Sequence, residues 1–316
     1  MILQRPLITG AGGFIGAHLA LRLSKLEEVE YVYLVDIPDA PRLRQFRESN
    51  KFRIIDLDLC SSSAGRNLPQ DATSVFALAA FNGTGRFYTN PLSVLKNSSY
   101  PTLTVIDAYA GKIPMVYSSS SEVYASTVES FNWEIPTSEN VPISIADVYN
   151  PRWSYATAKL FGEIALNSAA IELGASGAIV RYHNVFGPNM GYDHFIPDFI
   201  KRAKLGVFSL TGPKQTRAFM YIDDAVEGTI AALKAASRKV PLYHLGSNEE
   251  LTILAAAESI LSKMGFDSFE IETFEPPAGS VARRCANTKK AEFELGWRAE
   301  INFEDGIERY LHSLDS

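Results

Sequence analysis

"PLITGAGGFIGAHLALRL" (residues 6–23) decides the fold. A short apolar run, "PLIT", ends in glycine, and from Phe14 onward the apolar residues recur at helical spacing. Between strand and helix stand Gly10, Gly13 and Gly16. The first permits a tight turn, the second lets backbone amides approach a pyrophosphate, and the third allows close helix–strand packing. An anion then rests on the helix N-terminus, on the amides around Gly13, Phe14 and Ile15. The next apolar run, "EYVYLVD", closes with Asp36, twenty residues past Gly16. A carboxylate there accepts hydrogen bonds from an adenosine ribose and repels a 2′-phosphate, so the pattern predicts NAD rather than NADP. Arg42 and Arg44 in the following loop are the residues that would soften that preference.

Working outward, "FRIIDLDL", "SVFALAA", "IPMVYSS" and "ASGAIVRYHNV" continue the series of short buried runs. Helical stretches such as "PLSVLKNSSYPTLTVIDAYA" and "SYATAKLFGEIALNSAAIEL" separate several of them. Alternation of this kind predicts an α/β fold, a Rossmann-like doubly wound parallel sheet covered on both faces. Beyond about residue 180 the pattern becomes irregular, which predicts a smaller C-terminal substrate-binding lobe. The expected division is a cofactor domain over 1–180, rejoined by 218–248, and a lobe made mainly of 181–316.

The bulk properties are those of a soluble globular chain. Of 316 residues 46% are hydrophobic and 21% charged, and the net charge of −6 opposes a dedicated nucleic-acid or anionic-membrane binder. No stretch is apolar for long enough to span a bilayer, and the chain enters its first strand with no room for a signal peptide. Cys60 and Cys285 stand far apart, so neither a disulfide framework nor a zinc site is expected, and the cytoplasm is the simplest home. The five histidines show no paired ligand spacing, and no metal is expected.

Two further motifs carry chemistry. "YATAK" places Tyr155 and Lys159 four apart, on one helix face. A phenol with a reference pKa of about 10 is a poor base at neutral pH, but a nearby ammonium and a cationic nicotinamide both favour the phenolate. The second motif is "SSSSEVYA" (118–125), four hydroxyls and Glu122 following a buried strand. A serine there bridges a substrate oxygen and the tyrosine while hydride leaves the adjoining carbon.

With these residues in place the chain resembles the extended short-chain dehydrogenase/reductases of the nucleotide-sugar epimerase/dehydratase group. "TGAGGFIG", the "ALAA" strand end, Asn97, "SSSSEVY", "YATAK", "RYHNVFGP", "QTRAFMYIDD" and "ELGW" carry the likeness over nearly the whole length. The resemblance implies Tyr155 as base, Lys159 as its partner and holder of the nicotinamide ribose, and Ser120 as the bridging hydroxyl. It further implies Asp56 and Leu57 along the adenine, Ala79 and Asn97 beside the cofactor, and Asn184, Arg217 and Arg283 on the diphosphate and ribose of a nucleotide-diphosphate sugar. The helices containing "TNPLSVLKNSSY" and "SYATAKLFGEIALNSA" would pair across a homodimer interface.

The loop "FNGTGRFYTN" (81–90) follows a strand end, where open α/β sheets bind ligands, so Asn82, Thr84 and Arg86 join Ser120 and Ser121 as candidates for sugar contact. His194 in "GYDH" is either a sugar contact or a plain loop histidine, the second reading being slightly favoured. Sugar oxidation at C4 is the step such enzymes share. Hydride return to the opposite face gives 4-epimerisation, the leading expectation. If Glu122 instead acts at C5, removing its proton gives a 4,6-dehydratase, and where C6 is a carboxylate the ketone drives decarboxylation and a uronate decarboxylase results; the other reading of Glu122 is a loop carboxylate anchoring a backbone amide. Ser120 is typical of the epimerases, while Ala125 stands where the family usually has glycine. A net dehydrogenase that releases a keto sugar is a further alternative. From another class comes a non-catalytic NAD-binding sensor, which the intact Ser-Tyr-Lys set opposes.

Overall fold

A computed structural model describes residues 1–276 and 281–314. Its strands in chain order are β1 (Pro6–Thr9), β2 (Val32–Asp36), β3 (Phe52–Asp56), β4 (Ser74–Ala77), β5 (Met115–Ser120), β6 (Gly177–Tyr182), β7 (Val185–Phe186), β8 (Ser209–Thr211), β9 (Thr216–Ala218), β10 (Met220–Tyr221), β11 (Leu242–Leu245), β12 (Glu250–Thr252), β13 (Glu272–Phe274) and β14 (Arg283–Arg284). The helices are α1 (Phe14–Leu23), α2 (Thr84–Thr89), α3 (Pro91–Tyr109), α4 (Ala125–Phe131), α5 (Trp153–Leu173), α6 (Phe195–Ala203), α7 (Ile222–Lys234), α8 (Ile253–Lys263), α9 (Lys289–Leu295) and α10 (Phe303–Leu314).

The main sheet is seven-stranded and parallel, in the order β11-β6-β5-β4-β1-β2-β3. The chain winds outward from β1 to β3 and then restarts on the other side of β1 with β4. That reversal is the topological switch point, the place where such sheets bind ligands beyond the strands' carboxyl ends. Every residue of β1 and β4 is buried, as a central parallel strand covered on both faces requires.

The chain forms two compact units: 1–123, 147–181 and 226–243 make the first, and 124–146, 182–225 and 244–316 the second. Residues 124–146 fall inside the span expected for the cofactor domain, yet they cluster with the second unit. Their ties are long-range: Thr137 bridges Ala286, and Glu139 accepts the His244 backbone N–H at 2.8 Å. Of the returning segment, 226–243 joins the first unit and 218–225 the second. The first unit's core gathers Leu7, Val35, Val75, Met115, Tyr117 and Ile179 from the sheet with Val105, Ile106 and Leu166 from α3 and α5. In the second unit an aromatic group of Phe186, Phe195, Phe219, Tyr221 and Phe303 packs edge-on, tilted or stacked.

Candidate active site

In the first unit the glycine loop leaves β1 and enters α1 without a side-chain cap, so the amides of Phe14 and Ile15, in the first turn, have no helical acceptor. Gly10 has φ +69°, and a Cβ there would lie 2.8 Å from the Cα of Ala79, at the end of β4. At Gly16 a Cβ would fall 2.3 Å from the carbonyl oxygen of Gly10. Backbone therefore meets backbone at the switch point, and only glycine permits it. Asp36 accepts the Gly12 N–H on one carboxylate oxygen and its neighbour Ile37's on the other, both at 2.8 Å. Burial raises its pKa and these two bonds oppose the rise. A carboxylate has about four acceptor positions, so two remain for ribose hydroxyls. Arg42 donates to the Gly12 carbonyl at 3.2 Å. Asp56 is in register beside Asp36, and the Leu57 N–H donates to the Asp36 carbonyl at 2.7 Å. Uncapped amides, glycine contacts that leave no room for a side chain, and an aspartate with spare acceptors form a cradle that fits a dinucleotide.

Of the four serines, Ser118, Ser119 and Ser121 are buried and only Ser120 is partly open. Ser118 accepts Lys159 Nζ on its carbonyl at 2.6 Å and on its hydroxyl at 3.2 Å. Ser119 donates to Glu163, whose carboxylate is held by the Arg181 fork at 2.8 and 2.7 Å. Ser120 Oγ accepts the Glu122 N–H at 3.2 Å. The serine thereby holds the backbone amide of Glu122.

Tyr155 and Lys159 lie on α5 and both are buried. The phenol ring stacks on Phe87, with centroids 5.2 Å apart and planes at 13°. Lys159 Nζ is 5.7 Å from the Tyr155 ring and 5.1 Å from the Tyr117 ring. Burial pulls the lysine down from 10.5 to about 7, against the Coulombic pull of Glu163. Burial, with the Glu122 carboxylate adding to it, raises the Tyr155 phenol well above its ordinary value. Without a cationic nicotinamide and with the lysine amine turned onto Ser118, the protonated phenol is the favoured form. Glu122 faces Arg152 at 3.7 Å, the two side chains 18% and 17% exposed.

The remaining candidates in this unit are dispersed. Ala79 donates its N–H to Thr9 Oγ1 at 3.3 Å. Asn97 is exposed on α3 and accepts the Cys60 thiol at 3.4 Å. Asn82 is exposed and caps Gly83, while Arg86 folds back over the Phe81 ring at 4.5 Å. Thr84 opens α2, and its side chain lies outside the described residues.

In the second unit Asn184, at φ +39°, and Arg217 line a cavity of about 260 Å³. Asn184 donates to the Ala218 carbonyl at 3.0 Å, and Arg217 to the carbonyls of Thr216 and Val281 at 2.7 and 2.9 Å. His194 is on the cavity wall, its pKa lowered by burial. Phe186, Met190, Gln215 and Phe219, which the sequence reading passed over, share that wall. Arg283 does not line this cavity; its fork holds Glu250 with two bonds of 2.7 Å. Both cysteines are free, and among the described residues no His/Cys/Asp/Glu cluster suits a metal and no helix is long and apolar enough to cross a membrane.

A doubly wound sheet with a glycine cradle at its switch point and a tyrosine–lysine pair beside a serine strand end defines an NAD-dependent enzyme of the short-chain dehydrogenase type. The chain belongs to the NAD dependent epimerase/dehydratase family, whose model matches residues 6–246. It is 32% identical over 266 residues to UDP-N-acetyl-alpha-D-glucosaminuronate decarboxylase of Bacillus cytotoxicus, covering 81% of this chain and 79% of that one. To GDP-mannose 3,5-epimerase 1 of Oryza sativa subsp. indica it is 28% identical, with coverage of 95% and 79%. Its fold matches the crystal structure of UDP-glucuronic acid 4-epimerase from Bacillus cereus, solved with UDP-glucuronic acid and NAD, at a TM-score of 0.85, 24% identity and coverage of 98% and 99%.

Proposed function

We propose that this protein oxidises the sugar of a nucleotide-diphosphate sugar transiently at C4 and completes a net 4-epimerisation. The observation that carries the reading is the tie between β5 and α5: Lys159 bonds Ser118, two residues before Ser120, and its Nζ lies 5.7 Å from the Tyr155 ring, while the Glu122 charge reaches the Tyr155 phenol. NAD, when bound, supplies the hydride acceptor and a cationic ring. Tyr155 receives the C4 hydroxyl proton, Ser120 donates to the same oxygen, and Lys159 holds the nicotinamide ribose and offsets the phenolate charge. Because burial and Glu122 raise the phenol, Tyr155 depends on these positive charges to ionise. Gly10, Gly13, Phe14, Ile15 and Gly16 seat the pyrophosphate and Asp36 the adenosine ribose, with Asp56, Leu57, Ala79 and Asn97 alongside. Asn184 and Arg217 bind the nucleotide diphosphate. Arg283 contributes once it exchanges Glu250 for a phosphate or ribose, and Asn82, Thr84, Arg86 and Ser121 are the loop and strand-end candidates toward the sugar.

A second reading follows from Glu122, whose charge reaches the Tyr155 phenol. A carboxylate so close to the C4 base can take the C5 proton of the keto intermediate, leading to loss of water from C6; where C6 is a carboxylate, the ketone drives loss of carbon dioxide and the same group can return a proton to C5. Incubation with UDP-, GDP-, CDP- and dTDP-linked sugars in deuterated water, followed by mass spectrometry, separates the two. Unchanged mass supports 4-epimerisation; deuterium at C5 with loss of water or carbon dioxide supports the second reading. Tyr155→Phe should abolish turnover and spare NAD binding, and retention of turnover would overturn the mechanism.

The assembly is proposed as a homodimer through α3 and α5, which pack together and leave Leu92, Tyr100, Phe161, Ile164 and Ile171 exposed. Apolar side chains in one such patch fit a self-complementary helical interface. Sedimentation velocity tests it, and a cytoplasmic location is tested by fractionation.

A further inference from the structure

The helix α2 is six residues long, too short to hold its shape by itself. A Cβ added at Gly85 would meet nothing within 4 Å, and Arg86, Tyr88 and Thr89 are exposed. Among the described side chains of this helix only Phe87 is buried. Its ring enters a small cluster with Val94 of α3 and Tyr155 of α5, against which Ala80 and Phe81 also pack. The side chain that anchors α2 is therefore the one that touches the proposed base. The two rings lie nearly parallel, with planes at 13° and centroids 5.2 Å apart, an offset stack. A plate on that face opposes rotation of the phenol about its Cβ–Cγ bond. It also blocks the swing about Cα–Cβ that would carry the oxygen toward α2.

We propose that Phe87 is a positioning residue for proton transfer at C4: it fixes the plane of the Tyr155 phenol and keeps water off that face. The proposal rests on the C4-oxidation reading. The oxygen of a phenol is conjugated with its ring, so the O–H bond lies in the ring plane. Fixing the plane then sets the direction in which a proton is taken or returned. The ionisable groups that face this phenol are Lys159 on the same helix, Tyr117 on β5 and Glu122 beyond it, the last opposed by Arg152. From α2 and α3 come Phe87 and Val94, and the cation of α2, Arg86, lies over the Phe81 ring instead. Burial is the largest influence on Tyr155 and favours its protonated form. The face of a phenylalanine ring is negative, like that of a phenolate, and adds to that preference. Phe87 thus holds the base neutral as well as aligned until positive charge arrives beside it.

The test uses the full chain with NAD and whichever of UDP-glucose, UDP-glucuronate, GDP-mannose, CDP-glucose and dTDP-glucose the wild type consumes fastest. Phe87→Leu keeps an apolar side chain without a flat face, and Phe87→Tyr keeps the face. Phe87→Leu should lower kcat by roughly 100-fold, the scale of a reacting group misplaced by about 1 Å. NAD affinity by calorimetry should be unchanged, and Phe87→Tyr should recover most of the lost rate. In Phe87→Ala, which admits water to the phenol, the acid limb of the pH profile of kcat should move to lower pH. Wild-type kcat in Phe87→Leu, or an unmoved acid limb in Phe87→Ala, overturns the assignment. So does a parallel fall in NAD affinity, which marks a general disturbance of the first unit. Should Phe87→Ala fail to fold, the kcat values of Phe87→Leu and Phe87→Tyr decide. A readout independent of turnover is the phenolate absorbance of the chain less that of Tyr155→Phe, which follows Tyr155 alone. Loss of the Phe87 ring should bring that ionisation to lower pH, and an unchanged ionisation overturns the role of Phe87. If the wild type consumes no nucleotide sugar while calorimetry shows NAD bound, it is the C4-oxidation reading that has failed.

Discussion

Lys159 gives its ammonium to Ser118 twice, through the carbonyl at 2.6 Å and the hydroxyl at 3.2 Å. The strand residue two before Ser120 thus fixes the lysine before any ligand does. With its folded value at about 7 against 10.5 when free, this lysine destabilises the fold below pH 7, where it must be charged in a buried place. Between about pH 7 and 10.5 the unfolded chain holds a proton that the folded one lacks, so this group's contribution to stability rises with pH, by at most ~1.4 kcal/mol per unit. Urea unfolding of Lys159→Met and wild type at pH 6 and pH 9.5 checks this. The variant's stability relative to wild type should be higher at pH 6 than at pH 9.5; a difference independent of pH would show an ordinary lysine.

Glu163 and Arg181 form a buried bidentate pair behind that lysine. Removing one partner leaves a buried charge, so Glu163→Gln or Arg181→Met should each cost about 3–5 kcal/mol. Replacing both by apolar residues of similar volume should recover most of the loss. A double-mutant cycle by chemical denaturation measures it, and additive losses would mean that the two charges are not coupled.

Gly162 on α5 lies against the Tyr117 ring: a Cβ would come within 2.1 Å of it. Gly162→Ala must push the helix from the strand or turn the tyrosine out of its bond to the Lys159 carbonyl. Overpacking of this kind costs typically ~1–3 kcal/mol, and because the shift is at the catalytic turn, kcat should fall more than NAD affinity. Thermal melting with steady-state kinetics tests both parts.

Asp36→Ala removes the acceptor for the backbone amides of Gly12 and Ile37 as well as the proposed ribose contact. NAD affinity should drop by roughly 10-fold or more, the scale of losing a charged acceptor. Discrimination against NADP should narrow. Calorimetric titration with each dinucleotide reads both effects.

The glycine turn, Asp36 and the Tyr155–Lys159 spacing were legible because each follows from local geometry: a loop that tolerates no Cβ, a strand end, and one helical turn. The α3 segment was also foreseen as helical, despite Pro101 inside it, from its apolar periodicity. What escaped depends on partners remote in sequence. No local pattern says that Arg283 pairs with Glu250, that Arg86 lies over Phe81, or that 124–146 clusters with residues beyond 180. That Ser118 and Ser119 are buried and bonded to Lys159 and Glu163 of α5 was equally out of reach, since a run of identical hydroxyls carries no periodicity to separate its faces. Arg152 reads, in sequence, as a plain cation at a helix start; only its burial sets it apart.

A hydroxyl has two lone pairs but a single hydrogen, and the backbone N–H of Glu122 occupies one lone pair of Ser120. The group is thereby polarised before catalysis: it is left as a donor. A chain that turns a backbone N–H onto the serine from two residues further on gives that hydroxyl a direction, so Ser120→Thr, which keeps the hydroxyl, and Ser120→Ala, which abolishes it, should part company in rate far more than their difference in size suggests.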